Sequence, residues 1–372
     1  MTTASVLERY SEGAKEREEA LCCPVDYDTR LLKILPQEII DRDYGCGDPS
    51  RYVREGDTVL DLGSGGGKIC YMAAQLVGEK GHVIGVDMND DMLALARSHQ
   101  TSMAEKIGGD RVTFHKGTIQ DLALDLAQTE AWLQQHPVTT TSELIALQAM
   151  QEKQRREAPM IPDESVDLVI SNCVLNLVSE RDRQQMIREI FRVLKPFGRV
   201  AISDIVSDEA VPQHLKDDPD LWSGCISGAF QEHGFLQAFV EAGFKAVAYD
   251  KWTAEPWQVV EGIEFRSVTL VATKRADVPC IDKGHAVIYR GPFSEVCDDE
   301  DHNFPRGERM AVCERTYDLL MTGPYADQFI GITPAEPLEP RPWCAPSGTR
   351  RGAAETKGGR FDTGEDSGPS CC

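Results

Sequence analysis

Short apolar runs alternate with amphipathic stretches through the first half of the chain. Residues 58–62, TVLDL, form a run fit for a buried parallel strand. Residues 69–77 carry apolar positions at helical spacing and stop at Gly78, and residues 82–86, HVIGV, read as a second strand. The pattern continues with a helix over 92–104 and a third strand over 112–116. A fourth strand begins at Val166 (VDLVISNCVLNLV), a helix covers 183–194, and a fifth strand begins at Gly198 (GRVAISDIV). Strands alternating with helices predict an α/β fold with a parallel sheet. Residues 123–160 are polar and helical and interrupt the rhythm as an insertion. Upstream, residues 5–20 predict a charged amphipathic helix stopped by Pro24, residues 30–40 a short helix, and Tyr44 to Pro49, YGCGDP, a loop with glycines on both sides of Cys46.

The texture changes after residue 207. LWSGCISGAF sets Cys225 among small and aromatic residues, Trp252 and Trp257 follow, and WQVVEGIEFRSVTLVATK reads as a helix-like stretch leading into a strand. This segment is expected to be a substrate-binding cap that shares the core sheet. A third unit over about 279–340 has a short strand in HAVIYRG and a fragment GERMAVC, with no catalytic motif. From Pro346 the chain is rich in Gly, Ser, Thr and charge, which predicts disorder up to the terminal Cys371-Cys372.

Composition narrows the function. A chain of 372 residues accommodates two or three compact units. The net charge of −22 disfavours DNA, RNA and anionic membranes as partners. No apolar run approaches a membrane span and the first residues lack the apolar core of a signal peptide. The expectation is a soluble, cytoplasmic protein whose 12 cysteines are kept reduced. They are too sparse for a disulfide scaffold, and no close pair has C-x-x-C spacing.

The chemistry concentrates in the turn after the first strand. Gly63, Gly65, Gly66 and Gly67 allow positive φ and close approach of a ligand. Asp87 ends the second strand about 20 residues further on, where a carboxylate takes both ribose hydroxyls of a nucleoside. A dinucleotide fingerprint would need glycine where Lys68 stands. A P-loop needs one more residue and Ser or Thr after the lysine, where the chain has Ile69. What remains is D-x-G-x-G-x-G, carried by Asp61, Gly63, Gly65 and Gly67, which resembles the first motif of class I methyltransferases. Their cofactor, S-adenosylmethionine, has no pyrophosphate and asks for a tight turn and hydrogen-bonding groups. That resemblance extends the cofactor site to Met88 after Asp87, to Thr118 and Ile119 beyond the third strand, and to Asn172 at the end of the fourth. Cys173 follows at the carboxyl end of that strand, where ligands of open α/β sheets bind.

Taken together, YGCGDP, DLGSGGGKIC, GEKGHVIGVDM, SNCVLNLV, LWSGC and EFRSVTLVATK resemble the arsenite S-adenosylmethionine methyltransferases. The resemblance implies a Rossmann-like class I methyltransferase core with an α+β substrate-binding cap and a small C-terminal domain. The expected organisation is N-terminal helices and a cofactor domain over 1–206, an arsenite-binding domain over 207–277, a small domain over 278–345 and a disordered tail over 346–372. By the same resemblance Cys23 and Cys46 match a redox-active pair, with Cys22 one residue away from the first. Cys173 and Cys225 match the pair that holds arsenic, and Tyr44 matches a tyrosine near the sulfonium. Family members often carry glutamate before the second arsenic cysteine, and this chain has Gly224. The implied substrates are arsenite and methylarsenite, with an external reductant of thioredoxin or glutathione type and a monomeric enzyme.

The chemistry of the residues agrees with that analogy. Trivalent arsenic is soft and suits thiolate ligands. It takes three ligands in a pyramid, which Cys46, Cys173 and Cys225 could supply, leaving a lone pair toward the cofactor methyl. The nucleophile carries no proton, so no general base is needed, and a near-attack geometry supplies much of the rate. Methylation oxidises arsenic, and the resemblance implies that protein thiols reduce it again. Cys70, Cys280, Cys297, Cys313 and Cys344 are read as small hydrophobes. The terminal Cys371-Cys372 pair is either a capture dithiol or a solvated end. The competing functions are a class I methyltransferase for a small organic substrate, which would need an acid or base beside the methyl, and a metalloid-sequestering protein without catalysis. No His or Glu stands in the SNC strand end, against the first, and the intact glycine turn argues against the second.

Overall fold

The computed structural model describes residues 3–13, 25–218, 221, 222, 224 and 226–357. Cys22, Cys23, Cys225, Cys371 and Cys372 lie outside the described residues. The chain divides into two compact units, Met1–Lys274 and Arg275–Cys372.

The first unit is built on a nine-stranded sheet. Its strands are β1 (Thr58–Leu62), β2 (His82–Asp87), β3 (Val112–Lys116), β4 (Val166–Asn172), β5 (Leu194–Ser207), β6 (Phe230–Gln231), β7 (Phe244–Trp252), β8 (Gln258–Val260) and β9 (Ile263–Lys274). The order is β3-β2-β1-β4-β5-β9-β7, with β6 beside β5 and β8 beside β9. Strands β1 to β5 run parallel, and β9 is antiparallel to both β5 and β7. Chain order reverses between β1 and β4, which opens a crevice above their carboxyl ends. Side-chain alternation fills both faces: Leu60 and Leu62 join Val169, Ile202, Met186 and Phe235 on one side. Val59 joins Leu168, Ile170, Tyr71 and Met72 on the other.

Segment 207–274 shares the core sheet as expected, since β7 and β9 complete it, and the first compact unit runs through 206/207 without a break. Other expectations change. The helix-like start expected of 257–274 gives way to a hairpin of β8 and β9, turned by Glu261 and Gly262, both at positive φ, while the strand expected to follow it is β9. Strand β9 is buried along nearly its whole length, so it lacks the period of two that marks a half-exposed strand. The helix over 92–104 is two helices, Asp90–Ser98 and Gln100–Ile107, which meet at His99. The short helix over 30–40 is likewise two, Thr29–Leu32 and Gln37–Asp41, parted before Pro36. The insertion holds helices Leu126–Gln135 and Thr141–Glu157, the latter opened by a Thr140/Glu143 capping box.

The second unit has its own core of Val287, Tyr289, Phe304, Met310, Val312, Leu320 and Phe329. A three-stranded antiparallel sheet of Ala286–Tyr289 between Arg309–Ala311 and Phe329–Ile332 carries it. Disorder does not start at Pro346. Arg350 pairs with Met310 in a β-bridge, and a helix spans Ala353–Lys357. Arg351 is buried against Asp282, its Nη2 at 2.7 Å from Oδ1. Composition missed this because the segment is held by a buried ion pair and not by an apolar face.

Candidate active site

The crevice floor is the glycine turn after β1. Gly65 sits at φ +50° with open space where a Cβ would stand. Its N–H donates to Asp87 Oδ2 at 2.8 Å, and Asn89 N–H donates to Asp87 Oδ1 at 2.8 Å. Two backbone donors therefore fix the carboxylate at the end of β2. Asp61 is buried at the end of β1 and accepts a hydrogen bond from the Cys70 thiol at 3.2 Å. Burial, aided by the charges of Asp43 and Asp87, pushes the Asp61 carboxyl up to about 7, against the pull of the Cys70 bond. Burial likewise raises Asp87 above the usual carboxylate range. Among the described residues, the buried cation beside them is Lys68, paired with Asp43 at 2.9 Å and stacked on Tyr27.

Of the expected cofactor residues, Tyr44, Asp61, Gly63, Gly65, Asp87, Met88, Ile119 and Asn172 line one pocket. Gly67 and Thr118 do not. Gly67, at φ +87°, turns the chain into the helix Lys68–Leu76 and packs beside Phe114 and Ala96. Thr118 lies between Gly117 and Ile119, and the wall takes those two and Gln120 instead. The sequence reading also missed Val6, Tyr10, Ser64 and Trp222 in the wall. Ser64 has a buried hydroxyl with no partner. Tyr44 is buried, with its hydroxyl on Gly13 O at 3.0 Å.

The loop YGCGDP closes the crevice from above, and its two glycines are required by contact. A Cβ at Gly45 would stand 2.0 Å from Asn172 Nδ2, and one at Gly47 2.3 Å from Ser203 Oγ. Asn172 holds the loop down, with Oδ1 accepting from Cys46 N at 2.9 Å and Gly47 N at 3.0 Å while Nδ2 donates to Gly47 O at 2.8 Å. Its amide thus serves the loop, although the side chain also borders the pocket. Ser267 donates to Cys46 O at 2.6 Å.

This clamp brings Cys46 against Cys173. The two form a disulfide across 127 residues, with Cα atoms 5.8 Å apart. The bond crosses the two pairs implied by resemblance, joining one cysteine of each. Cys173 adopts φ +59°, a costly conformation for a residue with a Cβ, and its N–H donates to Ser203 O at 2.8 Å. Both cysteines share an apolar cluster with Ile205, Val211, Leu215, Ile226 and Phe265. Ile226 directly follows the position of Cys225.

A third group was overlooked. Asp204 of β5 brings a carboxylate oxygen within 4.8 Å of both sulfurs. It accepts from Asn176 Nδ2 at 2.8 Å and Ile205 N at 2.8 Å, and burial pushes its carboxyl up to about 7. The signal was in the sequence, as a carboxylate inside the apolar run VAISDIV.

Residues 54–243 match a methyltransferase domain family, and residues 276–361 match a domain of unknown function. An arsenite methyltransferase of Aquipseudomonas alcaligenes is 32% identical over 342 residues, covering 86% of this chain and 87% of that one. The arsenite methyltransferase of Mus musculus is 32% identical, covering 85% and 77%. Among solved structures, an arsenic(III) S-adenosylmethionine methyltransferase from Chlamydomonas reinhardtii superposes with a TM-score of 0.58 at 29% identity, covering 85% of this chain and 99% of its own. Among the described residues no helix is long and apolar enough to cross a membrane.

Proposed function

The chain belongs to the arsenite methyltransferase family, and from that membership we propose that it transfers the methyl of S-adenosylmethionine to trivalent arsenic held by Cys46, Cys173 and Cys225. The observation that carries the reading is the contact of Cys46 with Cys173 at the carboxyl end of β4, on the rim of a pocket floored by Asp61, Gly65 and Asp87. The pocket suits the cofactor on its own chemistry. Open space over Gly65 and an unpartnered Ser64 hydroxyl leave room and a hydrogen-bonding group for a ligand. Among the described residues, the carboxylates of Asp61 and Asp87 have no cation of their own while Lys68 is paired with Asp43, an imbalance that a cationic ligand corrects. When bound, the cofactor supplies an electrophilic methyl. Asp87 is placed for the ribose hydroxyls, with Met88 and Ile119 on the adenine wall.

The chain's own part is to capture and orient arsenic. Each thiol replaces one arsenic hydroxyl, and its proton leaves with that hydroxyl as water, so arsenite and three thiols give the trithiolate and three waters. Asp204 is in place to accept a hydrogen bond from a departing hydroxyl, in a chain with Gly224 where relatives often have glutamate. The apolar cluster around the sulfurs excludes bulk water. Methylation takes arsenic to the pentavalent state, and two protein thiols reduce it by forming a disulfide, for which the Cys46–Cys173 bond is a support. Cys23 would relay that oxidation outward to a thioredoxin or glutathione system, which a cytoplasmic location supplies.

Arsenic speciation by chromatography tests this reading. Methylarsenite needs only two thiolates, because its methyl carbon does not exchange. Cys173→Ser or Cys225→Ser is expected to abolish methylation of arsenite and methylarsenite alike, since serine oxygen is a poor ligand for a soft metalloid. Cys46→Ser is expected to lose arsenite methylation and keep much of that on methylarsenite. Equal loss of both activities in folded, cofactor-binding Cys46→Ser would refute the three-thiol assignment.

A further inference from the structure

Three ligand-type atoms meet beside the pocket: the sulfurs of Cys46 and Cys173 and a carboxylate oxygen of Asp204, all within 4.8 Å of one another. Cys46 comes from the clamped loop, Cys173 from the end of β4 and Asp204 from β5, so no short ligand spacing in the sequence announces them. All three are buried, Asp204 at 1% exposure. A carboxylate so deeply placed ordinarily has a cation. The donors to Asp204 are neutral: Asn176 Nδ2 and Ile205 N at 2.8 Å, and Asn176 N at 3.3 Å. Among the described residues no ion pair joins it, and Arg183, whose charge reaches it, donates instead to the carbonyls of Val178 and Gly228. Asn176 is itself wholly buried, and its Oδ1 has no partner among the described residues.

The donor set selects its ligand. Two thiolates disfavour calcium and magnesium, which take oxygen donors. Zinc takes thiolate sulfur at about 2.3 Å and carboxylate oxygen at about 2.0–2.2 Å in a tetrahedron, which sets its ligand atoms about 3.6–3.8 Å apart. That spacing falls inside the 4.8 Å that bounds the three atoms. Asn176 and Ile205 hold the carboxylate from behind, as outer partners of a metal ligand do. Three protein ligands leave a fourth position for water, and Cys173 borders the pocket from which water would come. The unanswered Asn176 Oδ1 is an acceptor beside the carboxylate for such a water. Arsenic differs, because a carboxylate oxygen is a poor ligand for a soft metalloid. Asp204 therefore separates the two occupants.

We propose that Cys46, Cys173 and Asp204, once the disulfide is reduced, bind zinc(II) and thereby withhold both thiols from arsenic. A dithiol reductant opens the bond: two electrons and two protons pass to the cysteines, and the reductant leaves as its own disulfide. Zinc then replaces the two thiol protons, which go to solvent, and no oxidation state changes in that step. Zinc with two thiolates and one carboxylate carries one net negative charge, which the neighbouring Arg183 offsets. The inhibition rests on the reading of Cys46 and Cys173 as arsenic ligands, whereas zinc binding itself does not. Free zinc would then set what fraction of the reduced enzyme is open to substrate.

The test uses the full chain, reduced with a phosphine and desalted without oxygen. Cobalt(II), a spectroscopic stand-in for zinc, is expected to give a thiolate charge-transfer band and the strong visible bands of a tetrahedral site, both erased by added zinc. Cys173→Ser should abolish those bands and Cys297→Ser should leave them. Asp204→Asn keeps Oδ1 for Asn176 and Ile205 and removes the charge. Its zinc affinity, read by competition with a chromophoric chelator, should fall by about tenfold or more, at least what losing an outer partner costs a metal site. Zinc bound equally well by Asp204→Asn or by Cys173→Ser overturns the proposal. Binding of S-adenosylhomocysteine shows whether each variant is folded. Should Asp204→Asn not fold, the unaltered reduced chain decides: zinc, and not magnesium, is expected to protect Cys46 and Cys173 from iodoacetamide, and an unchanged alkylation rate refutes the site. In turnover, zinc should raise the apparent KM for arsenite and leave kcat. Zinc bound here with methylation unaffected would overturn the inhibition together with the arsenic-ligand role of the two thiols, whereas failure to bind zinc leaves that role standing.

Discussion

Asp87→Ala isolates the contribution of one carboxylate to cofactor binding. In the structure each Asp87 oxygen accepts one backbone N–H, from Gly65 and Asn89 at 2.8 Å. A carboxylate offers about four lone-pair sites, so roughly two remain for the two ribose hydroxyls. A hydrogen bond to a charged group contributes about 1.5–3 kcal/mol. The two backbone donors lose their partner in the variant but face an open crevice, where water replaces it, so the single-bond value is a floor. Affinity for S-adenosylmethionine should then fall at least about tenfold. Asp87→Asn keeps one acceptor oxygen and should lose less. Titration calorimetry of folded variants, with S-adenosylhomocysteine as a second ligand, reads the difference. Arsenite binding should not change. Affinity of Asp87→Ala within about threefold of the parent would show that Asp87 braces the turn and does not touch the cofactor.

Asp61 sets a pH dependence. Its carboxyl titrates at about 7 without ligand, and a sulfonium cation favours the ionised form. Affinity for S-adenosylmethionine should therefore climb as pH rises through 7, and Asp61→Asn should flatten that slope. For the ligand-free protein the sign reverses: the folded pKa lies above the unfolded value near 3.9, so stability falls from about pH 4 to 7. Gly47→Ala drives a Cβ onto Ser203, which overpacking puts at about 1–3 kcal/mol and which should slow arsenite methylation. Activity should return with Gly47→Ala/Ser203→Gly, and lack of rescue would count against the contact. Truncation after Lys357 should leave unfolding of the second unit unchanged. Truncation after Ala345 removes Arg351 from Asp282, at a cost of about 3 kcal/mol, the low end for a broken buried pair because Arg341 also reaches Asp282. Thermal unfolding and hydrogen exchange decide that case, and equal stability of the two truncations would refute it.

Much of the first unit was legible because its signals are local. The glycine turn and Asp87 follow from a requirement on φ and a spacing along one βαβ element. The start of strand β9 was taken for helix because burial of both faces erases the period that distinguishes a strand. Asn172 was marked as a site residue, but its role depends on partners 125 and 126 residues away. The tail was misjudged because Arg351 gains its place from an aspartate 69 residues earlier. Pairing of Cys46 with Cys173 is likewise invisible in composition, since it arises when a loop is clamped over a strand end.

The bond between Cys46 and Cys173 also bears on inhibition. On the proposed assignment of Cys46 and Cys173 to arsenic, a sulfur committed to its neighbour has no electron pair to offer as a thiolate, so the oxidised pair and the arsenic-bound pair are alternative states of the same two atoms. Oxidants thus compete with substrate, and arsenite shields the enzyme from them. Under oxidative load with reductant turning over, the cost falls first on apparent KM, and enough substrate recovers the rate. Hardening this enzyme against oxidants is then a matter of how quickly that bond is reopened.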